Sequence, residues 1–132
     1  MAINFQTALG IHEDALRIRS AKAALIASNI ANVGTPNYRA RDIDFKQALQ
    51  NLKEQNGQLL TTHANHLKAD THLLGGSIQA SYRTPTQGSF DGNTVEIDKE
   101  KAAFSENSVR YLSSLQFLSS RFQSMTRALK GE

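Results

Sequence analysis

Three histidines close together in the middle of the chain, His63, His66 and His72, are the first candidates for chemistry. Imidazole nitrogens bind zinc, and the spacing of His63 and His66 would place both side chains on one face of a helix. No cysteine or acidic cluster completes a tetrahedral set of ligands, although Asp70 lies nearby. We therefore interpret these residues as surface histidines in a polar loop.

Two other patterns begin like metal-binding motifs, but each lacks required residues. The pair His12-Glu13 opens like the HExxH helix of zinc proteases, yet Leu16 occupies the position of the second histidine. The segment Asp91-Gly92-Asn93 opens like a calcium loop, but Val95 and Ala102 stand where two oxygen ligands are needed. Neither pattern predicts a metal site.

A pair of carboxylates, Asp42 and Asp44, lies beside two basic residues, Arg39 and Arg41. Such a pair could act as a general acid and base, but charges that alternate around a turn are more typical of a local salt-bridge network. The sequence contains no phosphate-binding glycine loop, no nucleophile elbow and no cysteine, which excludes a thiol nucleophile. We predict that the chain is not an enzyme and needs no cofactor.

The composition limits the architecture and the partners. A length of 132 residues corresponds to one domain, and 39% hydrophobic residues without tryptophan predict no large enclosed core. The pI of about 9.4 would permit a nucleic-acid partner, but the net charge of only +3 is scattered without a basic run. The apolar run Ala23–Ala27 is too short to span a bilayer, and Glu13 and Asp14 interrupt the place of a secretory signal.

An N-terminal helix is predicted over residues 1–34, because apolar residues recur there at alternating steps of four and three. His12 and Arg19 interrupt this seam as polar residues that set the register or extend to its edge. Gly34 is expected to end the helix with a positive φ, followed by Pro36 and by Asn37 in a left-handed conformation. The seam residues proposed for assembly are Phe5, Leu9, Leu16, Ala23, Ile26 and Ile30.

A C-terminal helix is predicted over residues 95–132, with Thr94 or Asp98 as its N-cap and Gly131 as its end. Its heptad seam is formed by Phe104, Tyr111, Leu115, Leu118, Phe122, Met125 and Leu129. Residues 35–94 between the helices are predicted to be an irregular, partly extended insert with a short amphipathic helix near 44–55. Phe45, Ala48, Leu49 and Leu52 form the inward face of that helix.

The predicted fold is therefore mainly α, with the two long helices forming a coiled-coil hairpin or bundle around a small insert. Each large apolar side chain contributes about 1.5–3 kcal/mol when buried, so both seams need partners. Neighbouring subunits could supply them, or the chain could close on itself as a monomeric bundle. A small basic module that binds nucleic acid is the alternative from another class, but Arg17, Arg19 and Lys22 are interleaved with acidic residues.

Three separated segments carry a resemblance to a known family. The sequence SNIAN at 28–32 followed by TPNYRARDIDF at 35–45 resembles the signature of the bacterial flagellar axial proteins. The segment ARDIDF at 40–45, together with DGNTVEIDKE at 91–100 and the short middle region, makes the chain similar to the proximal rod proteins of that family. The family usually has glycine where this chain has Asn37. The matching residues are Ser28, Asn29, Ile30, Ala31, Asn32, Thr35, Pro36, Asn37, Tyr38, Arg39, Arg41, Asp42, Phe45, Asp91, Gly92 and Asn93.

The resemblance implies a structural subunit of the periplasmic rod in the flagellar basal body, exported by the type III apparatus without a cleaved signal peptide. The partners it implies are other rod proteins, the adaptor between rod and export gate, and the export gate itself, which would recognise Phe5 and Leu9. Self-association would give a helical assembly, with the segment Thr35–Phe45 touching adjacent subunits. Another axial protein of the same family is the alternative.

Overall fold

A computed structural model of the chain describes residues 9, 11–56 and 78–131. These residues form three helices and two short strands: α1 (Ile11–Ala31), β1 (Arg41–Asp42), α2 (Phe45–Asn56), β2 (Ser81–Tyr82) and α3 (Ile97–Lys130). The predicted mainly helical class, with long helices toward both ends, is confirmed. None of the helices in the described ranges is long and apolar enough to cross a membrane.

The two long helices pack against each other and run in opposite directions. Successive contacts join residues of decreasing number in α1 to residues of increasing number in α3. These contacts are Asn29 with Glu100, Arg19 with Asn107, and His12 with Phe117. The contact between the helices therefore contains several polar groups.

The hydrophobic core lies between α1 and the β1–α2 segment rather than along the two long helices. Its buried members are Ile18, Ile43, Ala48 and Leu52. Partly buried Phe45 and Leu49 of α2 pack against them, together with Ala21, Leu25 and Ile78. The inward face of α2 is thus the one that its amphipathic period predicts.

The strands β1 and β2 pair antiparallel and join the start of the insert to its end. Arg41 pairs with Tyr82 and Asp42 with Ser81, and the Arg83 N–H donates to the Ala40 carbonyl at 2.9 Å. Two residues per strand are too few for independent stability, so neighbouring contacts must hold this ribbon in place.

The polar residues predicted to interrupt the α1 seam both contact aromatic rings. The His12 and Phe117 ring centroids are 5.9 Å apart, and the Arg19 guanidinium lies 4.3 Å from the centre of the Phe45 ring. Burial lowers the pKa of Arg19, and the nearby positive charge of Arg110 lowers it further. Both side chains therefore act through packing, as is typical of polar residues at a helix contact.

Two of the predicted helix ends are wrong. Gly34 does not have a positive φ, because α1 ends in a series of turns whose left-handed residue is Asn37, with φ of 61°. Glu96, rather than Thr94 or Asp98, is the N-cap of α3, and it makes no capping side-chain bond. The Thr94 hydroxyl instead accepts the Ala40 N–H at 2.7 Å.

The end of α3 is as predicted. Gly131 is its left-handed C-cap with φ of 77°, and its N–H donates to the Arg127 carbonyl at 3.0 Å. Other predictions fall outside the described residues: those on Phe5, on the histidines at positions 63, 66 and 72, and on the structure of residues 57–77.

Candidate assembly surface and the joint behind it

The buried amide of Asn29, in the SNIAN segment, holds the start of β1 against α1. Only 1% of Asn29 is exposed. Its Nδ2 donates to the Arg41 carbonyl at 2.9 Å, while its Oδ1 accepts the Arg41 N–H at 3.2 Å and the Tyr38 hydroxyl at 3.3 Å. A single side chain thereby satisfies both backbone groups of Arg41, which fixes the path of the chain after α1.

Glu100 joins the same amide to the first turns of α3. This carboxylate is fully buried; its Oε2 accepts Asn29 Nδ2 at 3.3 Å, and its Oε1 forms an ion pair with the Arg83 guanidinium. Because a buried carboxylate without a counter-charge is strongly destabilising, Arg83 is the residue that permits Glu100 to lie there. α1, α3 and the chain after β2 are therefore held at one point.

Asn93 covers the C-terminal end of α1 from the other side. Its Nδ2 donates to the carbonyls of Asn32, Val33 and Thr35 at 3.0, 2.9 and 3.0 Å. Its Oδ1 accepts the Val95 N–H at 2.8 Å. These three carbonyls belong to the turns that follow α1, so the Asn93 side chain holds those turns in place, while the carbonyls of Ser28, Asn29 and Ile30 at the end of the helix accept the N–H groups of Asn32 and Val33.

Two left-handed residues, Asn37 and Gly92, lie close together in this region. Asn37 has φ of 61° and Gly92 has φ of 71°, and a Cβ on Gly92 would lie 2.6 Å from Asn37 Oδ1. The two segments are also joined by the Asn37 N–H to the Asp91 carbonyl at 2.9 Å and by the Thr94 N–H to the Tyr38 carbonyl at 3.0 Å. The positive φ therefore favours glycine at position 92, and a Cβ there would also require the Asn37 side chain to move.

These contacts bring together the three segments that carry the family resemblance, although they are up to 71 positions apart in the chain. We call this cluster the motif joint; it consists of Asn29, Asn37, Tyr38, Arg41, Arg83, Gly92, Asn93 and Glu100. Of the other motif residues, Ser28, Asn32 and Thr35 make hydrogen bonds beside the joint. Ala31, Pro36 and Arg39 are exposed.

The carboxylates of Asp42 and Asp44, next to the motif joint, stabilise the fold. Asp42 forms an ion pair of 2.9 Å with Lys22 of α1. Asp44 Oδ1 accepts two N–H groups of the first turn of α2 at 2.8 and 3.1 Å, which is the contact of an N-cap. Arg39 and Arg41 are exposed and remain available to another molecule.

Glu96 ties the loop after β2 to the start of α3. Its Oε1 accepts the N–H and the hydroxyl of Thr86 at 3.0 and 2.8 Å, and Lys99 lies 2.7 Å from its Oε2. These contacts, above all the one with Lys99, lower the pKa of Glu96 to about 2. The carboxylate is therefore charged at neutral pH and holds the loop on the helix.

One face of α3 carries a row of apolar side chains that the described residues cover only in part. Phe104, Tyr111, Leu115, Phe122 and Leu129 are exposed, whereas Leu118 and Met125 are partly buried. We call these seven residues the α3 stripe. Scattered exposed apolar residues are ordinary, but a continuous row at heptad spacing is typical of a surface that packs against another helix.

Sequence reasoning missed three further apolar residues on α3. Val109, Leu112 and Phe117 lie outside the heptad seam and are exposed by 65, 63 and 62%. Their apolar character was the available signal, but they do not follow the heptad spacing from which the seam was predicted. Buried Glu100 and Asn107 lie on the face of α3 that meets α1, and Leu118 and Met125 lie five helical turns beyond them on the same side, so the stripe continues that face toward the C-terminal end of α3.

The apolar seam of α1 is more buried than that of α3. Ile26 is buried inside the chain, with 2% of its surface exposed. Leu9, Leu16, Ala23 and Ile30 are partly buried. Most of this seam is therefore already packed within one chain, and the larger open surface belongs to α3.

No candidate metal site is present in the part of the chain that the structure describes. Those residues contain no group of three or more histidine, cysteine or acidic side chains that could hold an ion. The three histidines at positions 63, 66 and 72 are not among them.

Comparison with known proteins gives the context for this arrangement. No family model matches the chain. The flagellar basal body rod protein FlgB of Aeromonas hydrophila is 43% identical over 134 residues, covering 100% of this chain and 99% of that protein. The chain belongs to the FlgB family of flagellar basal body rod proteins. The FlgB proteins of Cereibacter sphaeroides and Salmonella typhimurium are 44 and 36% identical, over 97 and 99% of this chain and 98 and 99% of theirs.

Membership of the FlgB family agrees with the geometry. The chain is a structural subunit of the flagellar basal body rod and not an enzyme, as the sequence predicted. The motif joint brings the signature segments together, since each supplies hydrogen bonds to the others. Together these segments fix the start of α3 against the end of α1.

Proposed function

We propose that this chain assembles into the proximal rod through the α3 stripe, which packs against the terminal helices of neighbouring subunits. The observation that carries this proposal is the exposure of five large apolar residues at heptad spacing on one face of α3. Each contributes about 1.5–3 kcal/mol when fully buried, and this gain is lost while the face remains in water.

Within one subunit, α1 and α3 form an antiparallel coiled-coil hairpin. The order of contacts from Asn29–Glu100 to His12–Phe117 supports this arrangement. The chain then divides into an N-terminal helix over 1–34, an insert over 35–94 and a C-terminal helix over 95–132, with the helices forming one axial core. The motif joint fixes the insert to both helices.

Between subunits, the exposed arginines of the Thr35–Phe45 segment direct the contact. Arg39 and Arg41 are not used by the described carboxylates nearby, since Asp42 pairs with Lys22 and Asp44 caps α2. Charged pairs at the edge of an interface set register and the rate of association more than affinity. A head-to-tail contact that does not close gives a helical shaft.

Export and placement complete the proposal. The subunit leaves the cytoplasm through the flagellar type III export gate without a cleaved signal peptide, with Phe5 and Leu9 as the recognised pair. It then joins other rod proteins, and an adaptor between rod and gate, in the periplasm. Its FlgB relatives, named as basal body rod proteins, support this placement.

The test replaces two exposed residues of the stripe, as Leu115→Asp with Phe122→Asp. Both side chains are about half exposed, so the monomer should keep its helix content while rods fail to form. Basal bodies imaged in situ by electron cryotomography would show membrane rings without a rod, and motility would be lost. Circular dichroism and secretion assays would establish that the variant folds and is exported.

The matched control places the same charges on a different face of α3, as Ser113→Asp with Ser120→Asp. Both serines are exposed and lie outside the stripe. This variant should assemble normal rods. Complete rods in cells carrying the stripe variant would overturn the proposal, as would equal defects in the two variants.

A further inference from the structure

The dipeptide Asp91-Gly92, in the turn before α3, contains a peptide bond that is prone to rearrangement. It is the only aspartate followed by glycine in the chain. When such a carboxyl group is protonated, the nitrogen of the next residue can attack its Cγ, and glycine has no Cβ to obstruct the approach. The N–Cγ bond forms, the Cγ–OH bond breaks, and the amide proton leaves with the hydroxyl as water.

The product of this step is a five-membered succinimide ring. A water molecule from the solvent then adds to one of the two ring carbonyls. Addition at Cγ restores aspartate, whereas addition at the former main-chain carbonyl gives isoaspartate, in which the backbone passes through Cβ and Cγ of Asp91. The net reaction needs no other reagent, and it adds one methylene group to the backbone.

In the folded chain, hydrogen bonds occupy both reacting groups. The Gly92 N–H donates to the Ser89 carbonyl at 3.2 Å. The Asp91 carboxylate accepts the Ser89 hydroxyl and, at 3.0 Å, the Asn93 N–H. These hydrogen bonds, above all the one from Ser89, lower the pKa of Asp91, which keeps the carboxylate charged at neutral pH. A charged carboxylate has no hydroxyl to lose, so ring closure is blocked.

The backbone on both sides of the dipeptide is also held. The Asn37 N–H donates to the Asp91 carbonyl at 2.9 Å. Three hydrogen bonds from the Asn93 side chain attach the following residue to the turns after α1. Ring closure requires the Asp91 carboxyl carbon and the Gly92 nitrogen to move into bonding contact, and a backbone that is tied at both ends resists this movement.

We propose that Asp91 is a site of isoaspartate formation, which reacts while the motif joint is open and is protected once Asn37 and Asn93 hold the turn. The reactive species are the chain before it folds and a folded chain whose joint opens transiently. The rate of reaction in the folded chain then measures the fraction of time for which the joint is open, as amide exchange does for an N–H group.

Isoaspartate at position 91 is incompatible with the joint. One additional backbone bond displaces the following residues by about 1.5 Å. Hydrogen bonds near 3 Å do not tolerate a shift of this size, so Asn37 and Asn93 cannot both keep their partners. A chain that isomerises before it folds should therefore unfold at a lower denaturant concentration than the parent chain.

The test incubates the purified chain at neutral pH, in native buffer and in guanidinium chloride that unfolds it. Trypsin then releases the peptide 84–99, which contains Asp91. Its aspartate and isoaspartate forms have the same mass; reversed-phase chromatography separates them, and electron-transfer fragmentation distinguishes them. Isoaspartate should accumulate at least about tenfold faster in the unfolded chain, because the folded chain reacts only when the joint opens.

Substitutions separate the protecting contacts. Ser89→Ala removes the hydroxyl that binds the Asp91 carboxylate, and Asn93→Ala removes the side chain that attaches the turn to the end of α1. Both variants should react faster than the parent chain in native buffer and at the parent rate in guanidinium chloride. Asn51→Ala, in α2, is the matched control and should behave like the parent chain. Gly92→Ala should slow the reaction of the unfolded chain, because its Cβ obstructs the nitrogen.

Three results would overturn the inference. Equal rates in native buffer and in guanidinium chloride would show that the fold gives no protection. The absence of isoaspartate at position 91 from the unfolded chain would show that the dipeptide is not a reactive site. If Ser89→Ala and Asn93→Ala both react at the parent rate in native buffer, the contacts of the turn do not protect Asp91.

Discussion

Asn29 and Arg41 are joined by two hydrogen bonds, in which the side-chain amide of Asn29 binds both backbone groups of Arg41. The Asn29 Nδ2 donates to the Arg41 carbonyl at 2.9 Å, and the Arg41 N–H donates to Asn29 Oδ1 at 3.2 Å. This is the pairing that a strand would offer its neighbour, supplied here by a helix. The segment after α1 can therefore run extended beside the helix without a third strand.

Replacing Asn29 with alanine should lower the free energy of unfolding by about 2–4 kcal/mol. The change leaves both backbone groups of Arg41 without their partner and removes a donor from buried Glu100. Urea denaturation followed by circular dichroism measures the effect. Asn51→Ala, in α2, is the control and should change stability by less than about 0.5 kcal/mol. Equal effects of the two substitutions would contradict the assigned role of Asn29.

Replacing Gly92 with alanine should destabilise the motif joint for two separable reasons. The residue has φ of 71°, which costs an L-residue about 1–2 kcal/mol, and its new Cβ would lie 2.6 Å from Asn37 Oδ1. In the double variant Gly92→Ala with Asn37→Gly, the second cost should disappear and the first remain. Denaturation of all four members of the cycle gives the coupling energy.

The control for that cycle is Gly88→Ala, where a Cβ would have no neighbour within 4 Å and φ is not positive. Its stability should equal or slightly exceed that of the parent chain. A coupling energy of zero between Gly92→Ala and Asn37→Gly would show that the close approach of the two residues does not contribute.

Acid should release the loop after β2 from the start of α3. The pKa of Glu96 is lowered from 4.5 to about 2 by its contact with Lys99 and its hydrogen bonds from Thr86. A lowered carboxyl pKa adds stability that is complete above about pH 4.5 and is lost as the pH falls toward 2. The Thr86 amide resonance, followed by nuclear magnetic resonance between pH 5 and 2, should report this loss.

Two variants check the cause of the acid response. Lys99→Met removes the largest contribution to the lowered pKa, so the midpoint of the transition should move to higher pH. Glu96→Gln should abolish the titration at Thr86 altogether. A transition that persists unchanged in Glu96→Gln would assign it to another group.

Asn107 offers a substitution expected to increase stability. The residue is 4% exposed between the long helices, its Nδ2 donates to the Arg19 carbonyl at 3.0 Å, and its Oδ1 has no hydrogen-bond partner among the described residues. Asn107→Leu should raise the free energy of unfolding by about 1 kcal/mol, because an unpaired buried acceptor is removed. Asn107→Asp should lower it, since a buried charge replaces the amide.

Stability alone does not measure what Asn107 does for the pairing of the helices. A polar residue at a helix contact is a known device for fixing register. Spin labels on exposed positions of α1 and α3 should therefore show a broader distance distribution in Asn107→Leu than in the parent chain. An equally narrow distribution would show that Asn107 has no role in register.

Local signals predicted much of the fold. The amphipathic period near residues 44–55 indicated α2 and its inward residues Ala48 and Leu52, because the spacing of apolar residues depends only on helix geometry. Asn37 and Gly131 were correctly expected to be left-handed, since this conformation is governed by the residue itself.

The motif joint could not be predicted in the same way. Asn93 binds the turns after α1, about 60 positions earlier in the chain, and Glu100 is paired with Arg83 and Asn29. Nothing in the local sequence distinguishes these two residues from surface polar residues. Their family resemblance marked them as important without giving their contacts. The prediction at Gly34 is wrong for a different reason, because the N–H groups of Asn32 and Val33 bind the last carbonyls of α1 and the left-handed residue is Asn37.

The three hydrogen bonds from the Asn93 side chain also determine how this part of the subunit responds to force. Hydrogen bonds near 3 Å depend steeply on distance and angle, so the joint cannot slide by an ångström and remain bonded, whereas packed methyl groups can. The attachment of the segment around Asn93 to the turns after α1 is therefore either intact or broken. A force that pulls these segments apart would meet a stiff contact up to the point at which the hydrogen bonds break.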